Sequence, residues 1–464
     1  MRKRLIMTLS GVVLTCARAA SAESATDRLA WWTQDRFGMF IHFGVYAVPA
    51  RGEWVKCISR MDDATYDAYV QDFNPDLFDA REWARTAKAA GMKYMVLTTK
   101  HHDGFCLFDS KFTDYKITKT PFGRDLVREY VEACRAEGLK VGFYYSLLDW
   151  HHPDYTVDER HPQRPICPPD GVWTDENRAA FARLNAGRDM AKYRTYMFNQ
   201  VRELLTDYGR IDIIWLDFSY PKKEFGKDRR DWHSEELIRL VRELQSEILV
   251  NNRLDLSGVK DGWDFLTPEQ MKVTAWPTVG GRRAPWETCQ TFSGSWGYNR
   301  DQTSWKSPHQ LIELLVHSVA HGGNLILNVG PTARGTFDDR ATDRLAAMGR
   351  WRHLNSRSVY GCTAAPDVFK TPEGTELTYN PKTNRLYIHL LTYPACGLYV
   401  AFPDRIARAA FLHDGSELKC RPFDFAGHAN ELGDTKENDT ALGVIALPTV
   451  QPSVEVPVVE LVLK

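Results

Sequence analysis

Cysteine is scarce in this chain, 9 among 464 residues, and none sits in a CxxC pair. That excludes the common structural zinc motifs and leaves stability to a hydrophobic core. Net charge is nearly absent, with 59 basic against 60 acidic residues. Neither nucleic acid nor an anionic membrane is therefore expected as a partner. The sequence has no GxGxxG turn, no P-loop and no HExxH, which removes the usual signatures of dinucleotide, nucleotide triphosphate and zinc-peptidase chemistry. There is no internal repeat and no low-complexity tract. Past the first residues no window carries 18 uninterrupted apolar positions, so the mature chain is expected to be soluble.

What remains is ordinary globular usage, 43% hydrophobic and 26% charged, with an aromatic content of 12%. Flat apolar rings at that frequency suit either large cores or the stacking of sugars. The N-terminus has the form of an export signal over residues 1–22. Arg2, Lys3 and Arg4 are followed by the apolar run Leu5–Leu14 and the small residues Ala20, Ser21 and Ala22. The expectation is an exported protein, periplasmic or secreted.

From about residue 37 to 331 apolar strands alternate with amphipathic helices. Strands are expected at Phe37–Gly44, Tyr94–Thr99, Lys140–Ser146, Ile211–Asp217, Glu247–Arg253 and Asn324–Gly330. Their continuous β-branched and aromatic character fits parallel strands covered on both faces. The helices carry their own signals: Asp79 with Glu82 before a run that Gly91 ends, Asp125 before one that Gly138 ends, and Ser307-Pro308 with Gln310. Polar residues at the ends of many different strands distinguish a closed barrel from an open sheet, whose site gathers at one switch point. The expected fold is a (β/α)8-like (TIM) barrel over 23–358, with its sixth and seventh strands poorly marked. Short alternating strands after residue 359 suggest a small C-terminal antiparallel β-sandwich over 359–464. Residues 151–188 are a long loop expected to shape the cleft.

Candidate chemistry lies at the strand ends. Asp217 closes the apolar run Trp215-Leu216-Asp217, where an aspartate can be nucleophile, base, metal ligand or loop cap. His101 and His102 leave the second strand; imidazoles there can hydrogen-bond hydroxyls or bind metal, although no helical ligand spacing supports a metal. His42 and Arg253 occupy equivalent positions.

The strings FGMFIHFG, EW, TTKHHDGF, GFYYS, WLD, NNR, TPE, WETC, SWGYNR and GGNLILNVGP occur in one order across residues 31–331. Together they resemble glycoside hydrolase family 29, the α-L-fucosidases. The resemblance implies an exo-acting, retaining hydrolase of terminal α-L-fucosyl residues with no cofactor and no metal. Its substrate would be a fucosylated oligosaccharide or glycoconjugate; it is silent on oligomeric state. It assigns Asp217 as nucleophile and Glu269 as acid/base, with Glu287 as rival. It assigns fucose binding to His42, Glu53, Trp54, His101, His102, Tyr144, Trp215 and Arg253. Two departures stand out, Phe218 where the family often has glycine and Asn252 where it often has aspartate. Retaining hydrolysis needs two carboxyl groups about 5–5.5 Å apart, one ionised and one protonated. The competing readings are a non-catalytic fucose-binding protein on a hydrolase barrel, and a relative acting on α-L-galactosides.

Overall fold

The structure is a computed structural model, and it describes residues 25–221, 223–395, 397–424 and 442–464. The export segment expected over 1–22 lies outside the described residues.

Five parallel strands, β1 (Phe37–Ile41), β2 (Tyr94–Lys100), β3 (Lys140–Ser146), β4 (Ile213–Asp217) and β5 (Leu249–Val250), appear where the apolar runs predict them. A two-stranded surface hairpin follows, β6 (Thr278–Val279) and β7 (Arg282–Arg283), then β8 (Glu287–Thr291) and β9 (Asn324–Val329). The parallel sheet is ordered β5-β4-β3-β2-β1-β9-β8. Its two edges are joined by an irregular stave, residues 265–269, through isolated parallel bridges 251–265, 266–286 and 269–289. The seventh strand of the barrel is therefore β8, and the sixth is this stave.

Four expected strands are longer than the observed ones, and side chains explain one of them. The fifth was expected over Glu247–Arg253 but pairs only at Leu249–Val250. From Asn251 onward the side chain replaces the ladder: its Oδ1 accepts the Leu216 N–H (3.0 Å) and its Nδ2 donates to the Leu216 carbonyl (2.9 Å). The main chain is thereby released to turn Arg253 toward the barrel mouth.

The helices start and stop where their capping residues stand. Asp79 accepts the N–H groups of Arg81 and Glu82 ahead of helix Ala80–Ala90, and Gly91 ends it at φ 105°. Asp125 caps Leu126–Glu137. Ser307 and Gln310 form a reciprocal capping box before Pro308–Ala320. Each satisfies orphan N–H groups of a first turn.

Inward-facing residues fill the barrel: Phe40, Val96, Tyr144, Ile213, Trp215, Phe265, Cys289 and Ile326 form one buried cluster with Trp32. Helix Ala25–Asp35 closes the bottom, its Trp32 ring 4.9 Å from Phe265. Gly38 is required by this packing, since a Cβ there would fall 2.1 Å from Cε2 of Tyr94. The interior is a packed core below and a pocket only at the top, as barrels of this kind require.

The C-terminal strands form a six-stranded sheet, β10-β11-β12-β18-β14-β15, facing a three-stranded one, β13-β17-β16. Their ranges are β10 (Thr363–Ala364), β11 (Thr375–Asn380), β12 (Arg385–Leu390), β13 (Leu398–Val400), β14 (Ile406–Phe411), β15 (Glu417–Leu418), β16 (Cys420–Pro422), β17 (Gly443–Ile445) and β18 (Val458–Leu463). Leu386, Ile388, Phe411, Ile445 and Leu461 are among the residues buried in its core. This is the expected sandwich. Among the described residues the cysteines are free, and no helix is long and apolar enough to cross a membrane.

Candidate active site

The strand ends converge on a cavity of about 430 Å³ at the barrel mouth. A second, outer cavity of about 820 Å³ shares Asp217, Phe218, Arg253 and Glu269 with it. The inner pocket is the more enclosed of the two.

Asp217 ends β4 on the pocket wall, with 9% of its side chain exposed. Its Oδ2 accepts the Tyr144 hydroxyl (2.8 Å) and its Oδ1 accepts Nη1 of Arg253 (3.0 Å). Burial raises the carboxyl above the ordinary aspartate value, and the Arg253 charge pulls it back down. Tyr144 stays a phenol because burial and the neighbouring Asp217 charge push its ionisation up.

Arg253 carries a second carboxylate. Its Nη2 donates to Oε2 of Glu269 at 2.8 Å, while its Nε donates to Thr267 Oγ1 at 3.1 Å. Asn252 anchors the same strip: its Oδ1 accepts both the N–H and the hydroxyl of Thr267 (3.1 and 2.9 Å). Glu269 is positioned by the irregular stave, where Cys289 N–H donates to the Pro268 carbonyl (3.1 Å) and Gln270 N–H to the Cys289 carbonyl (3.0 Å). One guanidinium thus spans a buried carboxylate and one whose side chain is 43% exposed at the junction of the two cavities.

His42 and His102 are neutral acceptors. His42 Nδ1 sits 2.6 Å from Asn328 Oδ1, and the Asn328 amide nitrogen donates to the Trp296 carbonyl. That fixes Oδ1 as the acceptor, so Nδ1 carries the proton and Nε2 keeps its lone pair. Burial pushes the His42 pKa down to about 3. His102 repeats the logic. Ser146 gives its hydroxyl proton to the Leu148 carbonyl (2.9 Å), so its oxygen accepts from His102 Nδ1 (2.6 Å). His101 and His102 are both pushed well below the ordinary histidine value by burial.

Two adjacent residues can both reach the pocket because β2 is irregular where it leaves β3, the register skipping Thr99 between Thr98 and Lys100. Irregularities of this kind re-aim side chains beside sites. Gly104 then turns the chain at φ 82°, where a Cβ would lie 2.3 Å from Asp149 Oδ1.

Glu53 and Trp54 come from the loop after β1. Glu53 is buried and accepts the Gly297 N–H (2.7 Å), so it holds the Ser295–Tyr298 segment as well as lining the pocket. Trp54 meets His102 edge to face at 5.1 Å. Trp215 lies under the Arg253 guanidinium, 4.6 Å from ring centroid to Cζ. The Trp215 indole N–H and His101 Nδ1 are buried with no hydrogen-bond partner among the described residues. Polar atoms left open on a pocket wall are positions for ligand hydroxyls.

Glu287 is elsewhere. It begins β8, level with Asn324 at the start of β9, and accepts the hydroxyl of Tyr94 (2.9 Å) from the start of β2. It therefore sits at the bottom of the barrel, outside the pocket. It does not hold the Ser295–Tyr298 segment either; Glu53 and Asn328 do. Complete burial pushes its pKa up to about 8.

Residues 151–188 do not line the inner pocket. Their contact with a lining residue is Arg160 over the Phe218 ring at 6.0 Å. Four lining residues lie outside the expected set: Phe40, Phe218, Cys289 and Trp296, of which Phe218 stood out only as a departure from the family pattern. Trp296 was within reach, since it lies in the string SWGYNR, and its ring packs 5.1 Å from His42.

The alpha-L-fucosidase family model matches residues 15–357. The chain belongs to the α-L-fucosidase family. It is accordingly a glycoside hydrolase. It is 30% identical over 365 residues to an alpha-L-fucosidase of Dictyostelium discoideum, covering 71% of each chain. Alpha-L-fucosidase isoenzyme 1 from Paenibacillus thiaminolyticus superposes with a TM-score of 0.84 at 40% identity, over 95% of this chain and 100% of that one. An α-L-fucosidase of Bacteroides thetaiotaomicron, trapped as a covalent intermediate with 2-fluoro-fucosyl fluoride in a Glu-to-Gln variant, gives 0.76 at 26% identity over 94% and 96%. Fucosidases and this chain thus share both barrel and sandwich.

Proposed function

We propose that this chain hydrolyses terminal α-L-fucosyl residues of glycans with retention, Asp217 attacking and Glu269 moving the proton. The observation that carries the assignment is the placement of the two carboxyl groups, Asp217 buried on the pocket wall and Glu269 part-exposed where the two cavities meet. Asp217 is the buried partner, held as an anion by Arg253 and Tyr144 and facing the inner pocket. Glu269 stands at the outer cavity, where a departing glycan and an incoming water both pass.

In the first half-reaction an Asp217 oxygen bonds to C1, the glycosidic bond breaks, and the departing oxygen takes the proton from Glu269. In the second, Glu269 removes a proton from water, whose oxygen displaces the Asp217 ester. Hydroxyl donors on the sugar meet the Nε2 lone pairs of His42 and His102, and its hydroxyl oxygens meet the indole N–H of Trp215. The C5 methyl of fucose has Phe40, Trp296 and Trp54 as apolar neighbours. The barrel (23–358) supplies every group named here, and the sandwich (359–464) supports it. We also infer export through residues 1–22, on the basic, apolar and small-residue order of that segment.

Incubation with 2-fluoro-fucosyl fluoride should inactivate the enzyme and add one fluorofucosyl mass to the peptide containing Asp217. Label on another carboxylate overturns the nucleophile assignment. Asp217→Ala should fold and lose turnover, with partial rescue by azide entering the vacated space. The same variant separates this reading from a non-catalytic lectin, which would lose nothing but binding.

A further inference from the structure

Helix Pro308–Ala320 runs outside the barrel from β8 to β9, and its last turn meets β11 of the sandwich. His317 lies in that turn and His321 is its C-cap, four residues on, with ring centroids 4.1 Å apart. That spacing sets two side chains on one helix face. His317 Nε2 is 2.7 Å from the Val273 carbonyl oxygen, and His321 Nδ1 is 2.8 Å from the His317 carbonyl oxygen. Carbonyls only accept, so both nitrogens carry protons. In the neutral rings the lone pairs are then on Nδ1 of His317 and Nε2 of His321.

His317 Nδ1 faces Oε1 of Glu376 at 2.6 Å. Two lone-pair bearers repel at that distance, so a proton bridges them, one that a cation would displace, holding the two atoms about 3.3 Å apart in a tetrahedral shell. One ligand atom from each of His317, His321 and Glu376 lies within 4.8 Å of the others. Only 6% of the His317 side chain and 15% of that of Glu376 are exposed, so the pair is largely desolvated. An imidazole whose far N–H is tied to a backbone carbonyl is the usual posture of a metal-bound histidine.

We propose that His317, His321 and Glu376 form a site for a divalent transition cation of the zinc class, stapling the barrel helix to the sandwich. Two imidazole nitrogens with one carboxylate oxygen suit Zn²⁺ and not the all-oxygen shells of Mg²⁺ or Ca²⁺. A water completes the tetrahedron. Because His321 leads into the start of β9, the site belongs to the bottom of the barrel, opposite the catalytic mouth. Its consequence is stability, not turnover.

The test uses the full chain, stripped with a chelator and titrated with Zn²⁺ by calorimetry, with thermal unfolding and fucosidase turnover measured in parallel. One Zn²⁺ per chain is expected, with a higher melting temperature and unchanged kcat/KM. His321→Ala should weaken that binding more than about tenfold and abolish the temperature shift. Glu376→Gln, which keeps the shape of the side chain, should do the same if His321→Ala folds poorly. Co²⁺ in the same site should give the visible absorption of a tetrahedral complex, absent in both variants. Equal Zn²⁺ uptake by wild type and variants overturns the proposal. So does uptake that suppresses turnover, which places the ion on His42, His101 and His102. A wild type indifferent to Zn²⁺ overturns it too, leaving a proton in the Nδ1–Oε1 gap.

Discussion

At the residue scale, the two carboxylates differ by what surrounds them, not by what they are. Glu269 stands where the leaving group emerges, so its loss should matter in proportion to the leaving group's need for a proton. Glu269→Ala is expected to reduce kcat/KM about 10²–10⁴-fold on fucosides of ordinary sugars and much less on activated aryl fucosides. A Brønsted series of aryl fucosides reads this directly. Equal losses across the series reassign the acid. Asp217 must be ionised to attack, and burial sets its pKa above the ordinary carboxylate value while Arg253 opposes the rise. Activity therefore falls as pH drops through that raised value. Removing the guanidinium leaves burial opposed by little more than the Tyr144 hydroxyl, so Arg253→Met should move the acid limb of the kcat/KM profile to higher pH as well as lowering its plateau. A limb that stays in place would separate Arg253 from the ionisation of Asp217.

At the element scale, parallel strands send chemistry to their C-terminal ends and structure to their N-terminal ends. Glu287 and Glu269 illustrate it, one opening β8 and the other closing the neighbouring stave. Folding raises the Glu287 pKa from the ordinary carboxyl value of 4.5 to about 8. The native state therefore holds this proton over a range where the unfolded chain has released it. The resulting stabilisation is full below about 4.5 and is lost as pH rises toward about 8, by an amount on the order of a few kcal/mol. Glu287→Gln should flatten the pH dependence of denaturant midpoints over that window and leave the leaving-group series unchanged. Loss of turnover on poor leaving groups only would instead return the acid role to this residue. The strand ends were readable because each apolar run stops at a polar residue. The sixth stave was not, because its pairing is a string of single bridges and Asn251 substitutes a side chain for a ladder bond.

At the scale of the whole molecule, barrel and sandwich share apolar contacts. Tyr387, Leu412, Val456 and Val458 belong to the same buried cluster as the barrel helices. The Trp351 indole donates to the Val456 carbonyl at 3.0 Å. A chain cut after residue 358 should therefore expose that cluster and aggregate, which sedimentation and recovery of soluble protein would show; a stable, active 25–358 fragment would contradict it. The sequence by itself determined the barrel, the sandwich and the set of polar groups at the mouth, because period, caps and motif order are local properties of a chain. Tertiary structure alone decided which glutamate shares a guanidinium with Asp217, which nitrogen of His42 and of His102 is free, and that Glu53, not Glu287, holds the Ser295–Tyr298 segment. Those depend on which distant segments meet, and a parallel barrel makes neighbours of residues tens to hundreds of positions apart.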